Sequence, residues 1–168
     1  SNIKFEKPKN IYKATAEQLE KGKIVAWYQG GAEFGPRALG NRSILSKPFP
    51  ASMKDHINER VKFREYFRPF APAVLKEHSE EYFTIKQESP HMLIACQVQK
   101  DKYDVIPAVV HVDGSCRVQT VGPENNERFY KLLNSFKELT TIPVLLNTSF
   151  NVKGQPIVNT PEQAIETF

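Results

Sequence analysis

Apolar residues fall along this chain in short runs, separated by polar stretches rich in glycine and proline. Ile24-Val25-Ala26-Trp27-Tyr28 is an uninterrupted apolar run of strand length, which predicts a buried strand. Ser43 to Leu45, Ala73 to Leu75, Met92 to Val98 and Pro143 to Leu146 read as further strands. Val109 to Val112 and Arg117 to Val121 flank Asp113-Gly114-Ser115, a dipeptide signal for a hairpin. Helical spacing appears elsewhere. Ala16 to Lys21 is predicted as a helix capped by Thr15 and stopped by Gly22. In Ala51 to Val61 the residues Met53, Ile57 and Val61 form one apolar stripe. Glu127 to Thr140 carries Phe129, Leu132, Leu133, Phe136 and Leu139 on one face, the clearest amphipathic helix of the sequence. A last helix opens at Thr160-Pro161-Glu162-Gln163, with a cap, a proline at the first helical position and a capping-box glutamine.

Between these elements the pattern predicts turns. Ser79 to Phe83 reads as a helical turn and Lys100 to Lys102 as the tip of a polar hairpin. The segment Lys62 to Leu75 holds Pro69 and Pro72 and cannot continue a helix, so the chain must turn there. Its aromatics Phe63, Phe67 and Phe70 are predicted to pack in the core and along its wall. The sum is one α/β domain over 11–168, a mixed sheet with helices packed on it. Residues 1–10 read as a linker, with Ser1-Asn2 as a remnant of tag cleavage and the chain as a piece of a larger protein.

Composition narrows this only a little. With 168 residues, 40% hydrophobic and 25% charged, the chain is an ordinary globular domain large enough for a real core. No apolar run nears the roughly 20 residues needed to cross a bilayer. The two cysteines, Cys96 and Cys116, have neither CxxC nor zinc spacing, and read as small buried hydrophobes of a protein in a reducing cytoplasm. Charge is more informative. Between positions 37 and 68 lie Arg37, Arg42, Lys47, Lys54, Arg60, Lys62, Arg64 and Arg68, against Asp55, Glu59 and Glu65. That imbalance favours an anionic ligand. Nucleic acid is the weaker reading, because a dedicated binder is usually more basic overall than a net +4.

Two strand-to-loop junctions concentrate the polar groups. Gly30 to Leu45 places four glycines, a proline, Arg37 and Arg42 in one loop, so backbone N–H groups and guanidinium forks can both approach an anion. Asn147-Thr148-Ser149-Phe150-Asn151 follows the strand at 143–146. Lys62, Arg64 and Arg68 cluster in the turn, and Arg117 is a lone guanidinium heading an apolar strand. Brought together, these would hold nucleotide phosphates and stabilise charge in phosphoryl or adenylyl transfer. No Walker A pattern is present, His56, His78, His91 and His111 lack ligand spacings, and no GxSxG elbow supports a serine nucleophile.

Four segments, GPRALGNRSIL, INERVKFREYFRPFAP, HVDGSCRVQTV and PVLLNTSFNVKGQPIV, resemble in order the C-terminal part of the O-carbamoyltransferases of the NodU/CmcH type, from about Ile24 to Phe168. The resemblance implies a YrdC-like fold, a twisted mixed sheet with helices. Thr148-Ser149-Phe150-Asn151 is similar to the SxN signature of YrdC-type nucleotide sites, and Lys62-Phe63-Arg64 to their KxR signature. It further implies that carbamoyl phosphate and ATP are converted to carbamoyl-adenylate. A separate N-terminal domain of the actin/sugar-kinase type, with iron bound, would then pass the carbamoyl group to a substrate hydroxyl. By motif, Arg37, Lys62, Arg68 and Arg117 would hold the phosphates, with Lys62, Arg37 and Arg117 implied in catalysis. Ser149 and Asn151 would position the nucleotide, and Arg64 and Arg42 are further candidates. Mg²⁺ is expected to arrive with ATP. The alternatives are threonylcarbamoyl-adenylate synthesis, carbamoylation in hydrogenase maturation, and a basic RNA-binding module.

Overall fold

In the computed structural model, which describes residues 4–168, five strands form a mixed sheet and five helices pack around it. Ser1 and Asn2, expected from sequence to be a tag remnant, lie outside the described residues. Residues 4–9 have no regular structure. The strands of the sheet are β1 (Val25–Tyr28), β2 (Arg42–Ser46), β3 (Ala71–Leu75), β6 (Gln119–Val121) and β7 (Val144–Ser149). Their order is β1-β2-β7-β3-β6, antiparallel except for the parallel pair β3–β6. A separate two-stranded sheet pairs β4 (Ala95–Gln97) with β5 (Ser115–Arg117).

Side-chain alternation on the central strands builds a core on each face. Leu145 and Ala73 face one way, onto Leu19 of α1 (Ile11–Glu20) and Phe129, Leu132, Leu133 and Phe136 of α4 (Pro123–Thr140). Val144, Leu146 and Val74 face the other way, onto Met53 and Ile57 of α2 (Ser52–Arg60), Phe83 and Ile106. A smaller cluster, Ile44, Phe150, Val158 and Ala164, seats α5 (Pro161–Thr167), and the expected capping box of Thr160 and Gln163 is present.

Several boundaries depart from expectation, each for an identifiable reason. The first helix begins at Ile11, because the Asn10 carboxamide accepts from Lys13 N at 3.1 Å and caps it; Thr15 is buried inside the helix. In α4 the non-helical Asn126 (φ −157°) divides a first turn from the helix proper. Its side chain accepts from Phe129 N, so the expected start at Glu127 marks the true cap. The Asp113-Gly114 turn forms, with Gly114 at φ +78°, but no strand precedes it. Pro107–Val109 is a 3₁₀ turn, tied back by Ala108 N donating to Pro48 O. The run after the turn breaks at Val118, β5 pairing with β4 and β6 with β3. Lys100–Lys102 is likewise a 3₁₀ turn, and the expected helical turn forms as the short helix α3 (Ser79–Tyr82). Of the aromatics in the proline-rich turn only Phe70 is core. Phe63 is 58% exposed and Phe67 64%, since Phe63 sits at φ +47° where the chain reverses out of α2.

The strand directions place the polar loops. β1 and β7 run one way, β2, β3 and β6 the other. One end of the sheet therefore collects the loop leaving β1, the loop leaving β7, the turn entering β3 and Arg117 just ahead of β6.

Candidate functional site

At that end lies a cavity of about 280 Å³. Four guanidinium-bearing residues line it: Arg37 from the glycine loop, Arg64 and Arg68 from the turn before β3, and Arg117 from the end of β5. Thr148 and Ser149 of β7 line it too, with Phe70, Met92 and His111. The positive charges press on one another. Burial and then the Arg37 charge lower the pKa of Arg117; burial and then Arg68 lower that of Arg64. A cluster of cations held together without a matching set of carboxylates can take an anion that supplies the missing charge. Among its members the structure pairs Arg68 with Glu65, at 3.0 Å, in an exposed ion pair of little energetic weight.

Buried amides set the geometry. Asn58, fully buried in α2, donates through Nδ2 to the carbonyls of Tyr66 (3.1 Å) and Arg68 (3.0 Å) and accepts Arg64 Nε at 2.8 Å. One side chain thus shapes the whole turn carrying both arginines, while the Arg64 guanidinium lies over the Phe70 ring at 4.8 Å. Replacing Asn58 by alanine would leave two carbonyls and a guanidinium unsatisfied. The expected cost is about 2–4 kcal/mol, seen as a melting temperature lower by roughly 5–10 °C together with weakened binding of inorganic pyrophosphate.

The glycine loop is pinned in the same manner. Glu33 Oε1 accepts from the backbone N–H groups of Leu39, Asn41 and Arg42, folding the loop around its own carboxylate. Asn147 donates to Ala38 O at 3.1 Å and to Gln119 Oε1 at 3.0 Å, and Gln119 donates to Leu39 O at 2.9 Å. Asn126 adds bonds to Leu39 O and Asn41 Oδ1. Arg37 is therefore presented from a loop fastened to β6, β7 and the start of α4.

Arg42 has a different part from the one expected of it. It is 3% exposed, donates to the carbonyls of Gln29, Gly30, Asn41 and Asn159, and lies 3.6 Å over the Tyr28 ring. It clamps the loop to the segment before α5 and does not line the cavity.

Lys62 lies directly behind the cavity wall. Its ammonium reaches Ser149 O (2.5 Å), Ser149 Oγ (3.2 Å), Asn151 O (3.0 Å) and Asn151 Oδ1 (2.8 Å). Ser149 Oγ in turn donates to Asn151 Oδ1 at 2.7 Å. The KxR and SxN segments, with Lys62 and Ser149 87 residues apart, are one hydrogen-bonded unit. None of the four oxygens belongs to a carboxylate, so nothing offsets desolvation: burial, and then Arg64, lower the Lys62 pKa to about 7.

His111, which the sequence marks only as a non-ligand, lines the cavity. Burial and the charges of Arg117 and Lys54 lower its pKa, against the opposing pull of Asp113, leaving it neutral at pH 7. The Ser115 hydroxyl donates to Asp113 (2.7 Å), so the His111 nitrogen 3.3 Å away, Nδ1, carries the ring proton. The remaining ring nitrogen is an acceptor on a residue whose neighbours in the wall are mostly donors. No spacing signal marks it; only the HVDGSCR segment, which also holds Arg117, points that way.

The family described as "Carbamoyltransferase C-terminus" matches residues 16–168. Nodulation protein NolNO of Sinorhizobium fredii is 45% identical over 170 residues, covering 99% of this chain and 25% of that protein. The crystal structure of T. kodakarensis HypF superposes with a TM-score of 0.66 at 20% identity, covering 96% of this chain and 20% of that one. Full-length HypF in the phosphate- and nucleotide-bound form gives a TM-score of 0.60 at 19% identity, over the same shares. These likenesses bear out the YrdC-like mixed α/β fold that the motifs imply. The chain spans about a quarter to a third of the length of the curated relatives it matches.

Proposed function

Because the chain belongs to the carbamoyltransferase C-terminus family, we propose that its cationic cavity makes carbamoyl-adenylate from carbamoyl phosphate and ATP. In the longer protein, a domain of the actin/sugar-kinase type would then transfer the carbamoyl group to a substrate hydroxyl. The observation that carries this reading is the convergence of Arg37, Arg64, Arg68 and Arg117 on one cavity that Ser149 also lines, with Lys62 and Asn151, which do not line it, hydrogen-bonded to Ser149 behind the wall.

The reaction needs two anions in contact. Water first cleaves carbamoyl phosphate to carbamate and inorganic phosphate, with release of a proton. A carbamate oxygen then attacks the α-phosphorus of ATP; the bond from that phosphorus to the β-bridging oxygen breaks, and pyrophosphate leaves. Carbamate is a weak nucleophile and is repelled by the triphosphate, so most of the catalytic work is neutralisation and alignment. Arg37 and Arg117, close enough for the charge of one to depress the pKa of the other, suit a phosphate held between them. Arg64 and Arg68 supply further charge from the turn before β3, and the Ser149 hydroxyl positions the nucleotide. Among the described residues no three His, Cys, Asp or Glu side chains converge. A Mg²⁺ ion would thus be held by ATP phosphates and water, where it would offset phosphate charge.

The test is pyrophosphate release from Mg-ATP by this chain with and without carbamoyl phosphate. Release that depends on carbamoyl phosphate is the expected result. ATP binding without release would mean that the first step needs the remainder of the longer protein. Absence of both would remove the nucleotide-site reading. Salt-sensitive RNA binding that ATP does not compete with would then favour a nucleic-acid module.

A further inference from the structure

We propose that Cys96 and Cys116 form a reversible intramolecular disulfide, a modification site separate from the anion cavity. The two residues face each other in the register of β4 and β5, and their sulfurs are 3.9 Å apart, both free thiols. Directly opposed residues of an antiparallel pair have Cα atoms about 4.5–5.5 Å apart, inside the window a disulfide requires. Bond formation asks the sulfurs to approach by about 1.9 Å, within reach of side-chain rotation and a small movement of a three-residue strand. That strand belongs to the small sheet and leaves Ala95 and Gln97 exposed, so its displacement disturbs none of the five-stranded ladder.

The two sulfurs are not equivalent. Cys116 is 1% exposed, whereas Cys96 is half-buried and borders a surface groove of about 480 Å³ together with Thr84, Ile94 and Ser115. A reagent in solvent can reach only Cys96. The hydrogen bond with Cys116 lowers the pKa of Cys96, while the same bond and burial raise that of Cys116. Cys96 is accordingly the attacking sulfur and Cys116 the resolving one.

With hydrogen peroxide as oxidant, the Cys96 thiolate attacks one peroxide oxygen. The O–O bond breaks, hydroxide leaves, and Cys96 becomes a sulfenic acid. The Cys116 sulfur then attacks Cys96; the S–O bond breaks, and the departing hydroxide takes the Cys116 proton as water. Two thiols lose two electrons and peroxide is reduced to two waters, a balance that a thiol reductant reverses.

The experiment treats the reduced 168-residue chain with stoichiometric hydrogen peroxide, quenches with N-ethylmaleimide, and reads intact mass and non-reducing peptide maps. The expected product is monomeric, lighter by two hydrogens, has lost both alkylatable thiols, and yields a Cys96–Cys116 linked peptide that dithiothreitol separates. Cys96→Ser, at the more exposed position, forms no linked peptide. Native alkylation of the reduced chain modifies Cys96 before Cys116. Retention of both thiols, oxidation of Cys96 without linkage, intermolecular dimers as the only product, or earlier alkylation of Cys116 would each overturn the proposal.

Discussion

Replacing Lys62 by alanine lowers carbamoyl-phosphate-dependent pyrophosphate release by about a hundredfold to a thousandfold, the range seen when one charge-stabilising donor is removed from an enzyme site. The size of the effect follows from where the lysine sits. It is 5% exposed, and its ammonium holds Ser149 and Asn151 in one arrangement through four oxygens. Alanine removes a charge from beneath the cavity and frees the two residues proposed to position the nucleotide. Thermal melting of the variant separates this from simple unfolding. A variant that melts normally and releases pyrophosphate at the wild-type rate would exclude Lys62 from the reaction.

The same residue predicts a pH signature. With a pKa near 7, Lys62 is largely uncharged by about pH 8, while a bound phosphate would favour its protonated form. Pyrophosphate binding at about pH 8 should therefore take up a proton, read as a binding enthalpy that varies with the ionisation enthalpy of the buffer. At about pH 8 this uptake should be larger in the wild type than in Lys62→Ala, and the difference should vanish below about pH 6, where the lysine is already charged; uptake by His111, which lines the same cavity, is common to both. The linkage to stability has the opposite direction from that of a paired lysine. The unfolded chain keeps this proton up to the ordinary lysine value of 10.5, so folding becomes more favourable as pH rises from about 7 toward that value.

The second large effect is one of stability. Gly40 has φ +102°, and a Cβ at that position would fall 2.3 Å from Phe129 Cδ1 and 2.5 Å from Cγ. Phe129 is fully buried in the core under α4 and cannot swing away without vacating it. Gly40→Ala thus combines backbone strain with overpacking, for an expected loss of about 3–5 kcal/mol. For a domain of this size that is a fall in melting temperature of roughly 10 °C. Gly31→Ala is the control, because its Cβ would meet open space. Equal melting temperatures for the two variants would mean that the contact with Phe129 is not maintained in solution.

Elements whose signals are local were legible from sequence. Phe129 to Leu139 at helical spacing, the Thr160–Gln163 cap and the apolar runs before Tyr28 and Ser149 each state their own structure. So did the glycine loop as one wall of the arginine-lined cavity, through Arg37. What was not legible depends on partners distant in sequence. Nothing near Asn58 or Asn147 reveals that their carboxamides shape the two arginine-bearing loops, because their acceptors are defined only once the turn and sheet have formed. Arg42 and Arg37 carry the same composition signal five residues apart, and only the antiparallel pairing of Arg42 with Tyr28 turns one inward onto carbonyls. The expected hairpin failed because Pro107–Val109, ahead of its turn, is a 3₁₀ turn and not a strand; its second run also splits, at Val118. A single residue between β5 and β6 lets one apolar run serve two sheets.

The position of β7 also bears on how this domain can be synthesised. It is the middle strand of the five, yet it comes after the other four in the chain. A nascent chain that has not yet delivered Val144–Ser149 holds two disconnected pairs, β1–β2 and β3–β6, each with an apolar edge awaiting the same missing strand. Such intermediates expose sticky edges during translation. Neither core can close, Lys62 lacks Ser149 and Asn151, and the glycine loop lacks Asn147, until the last part of the domain has left the ribosome. Folding and assembly of the site are therefore a single late event, and a truncation before Val144 is expected to give an insoluble fragment rather than a weaker site.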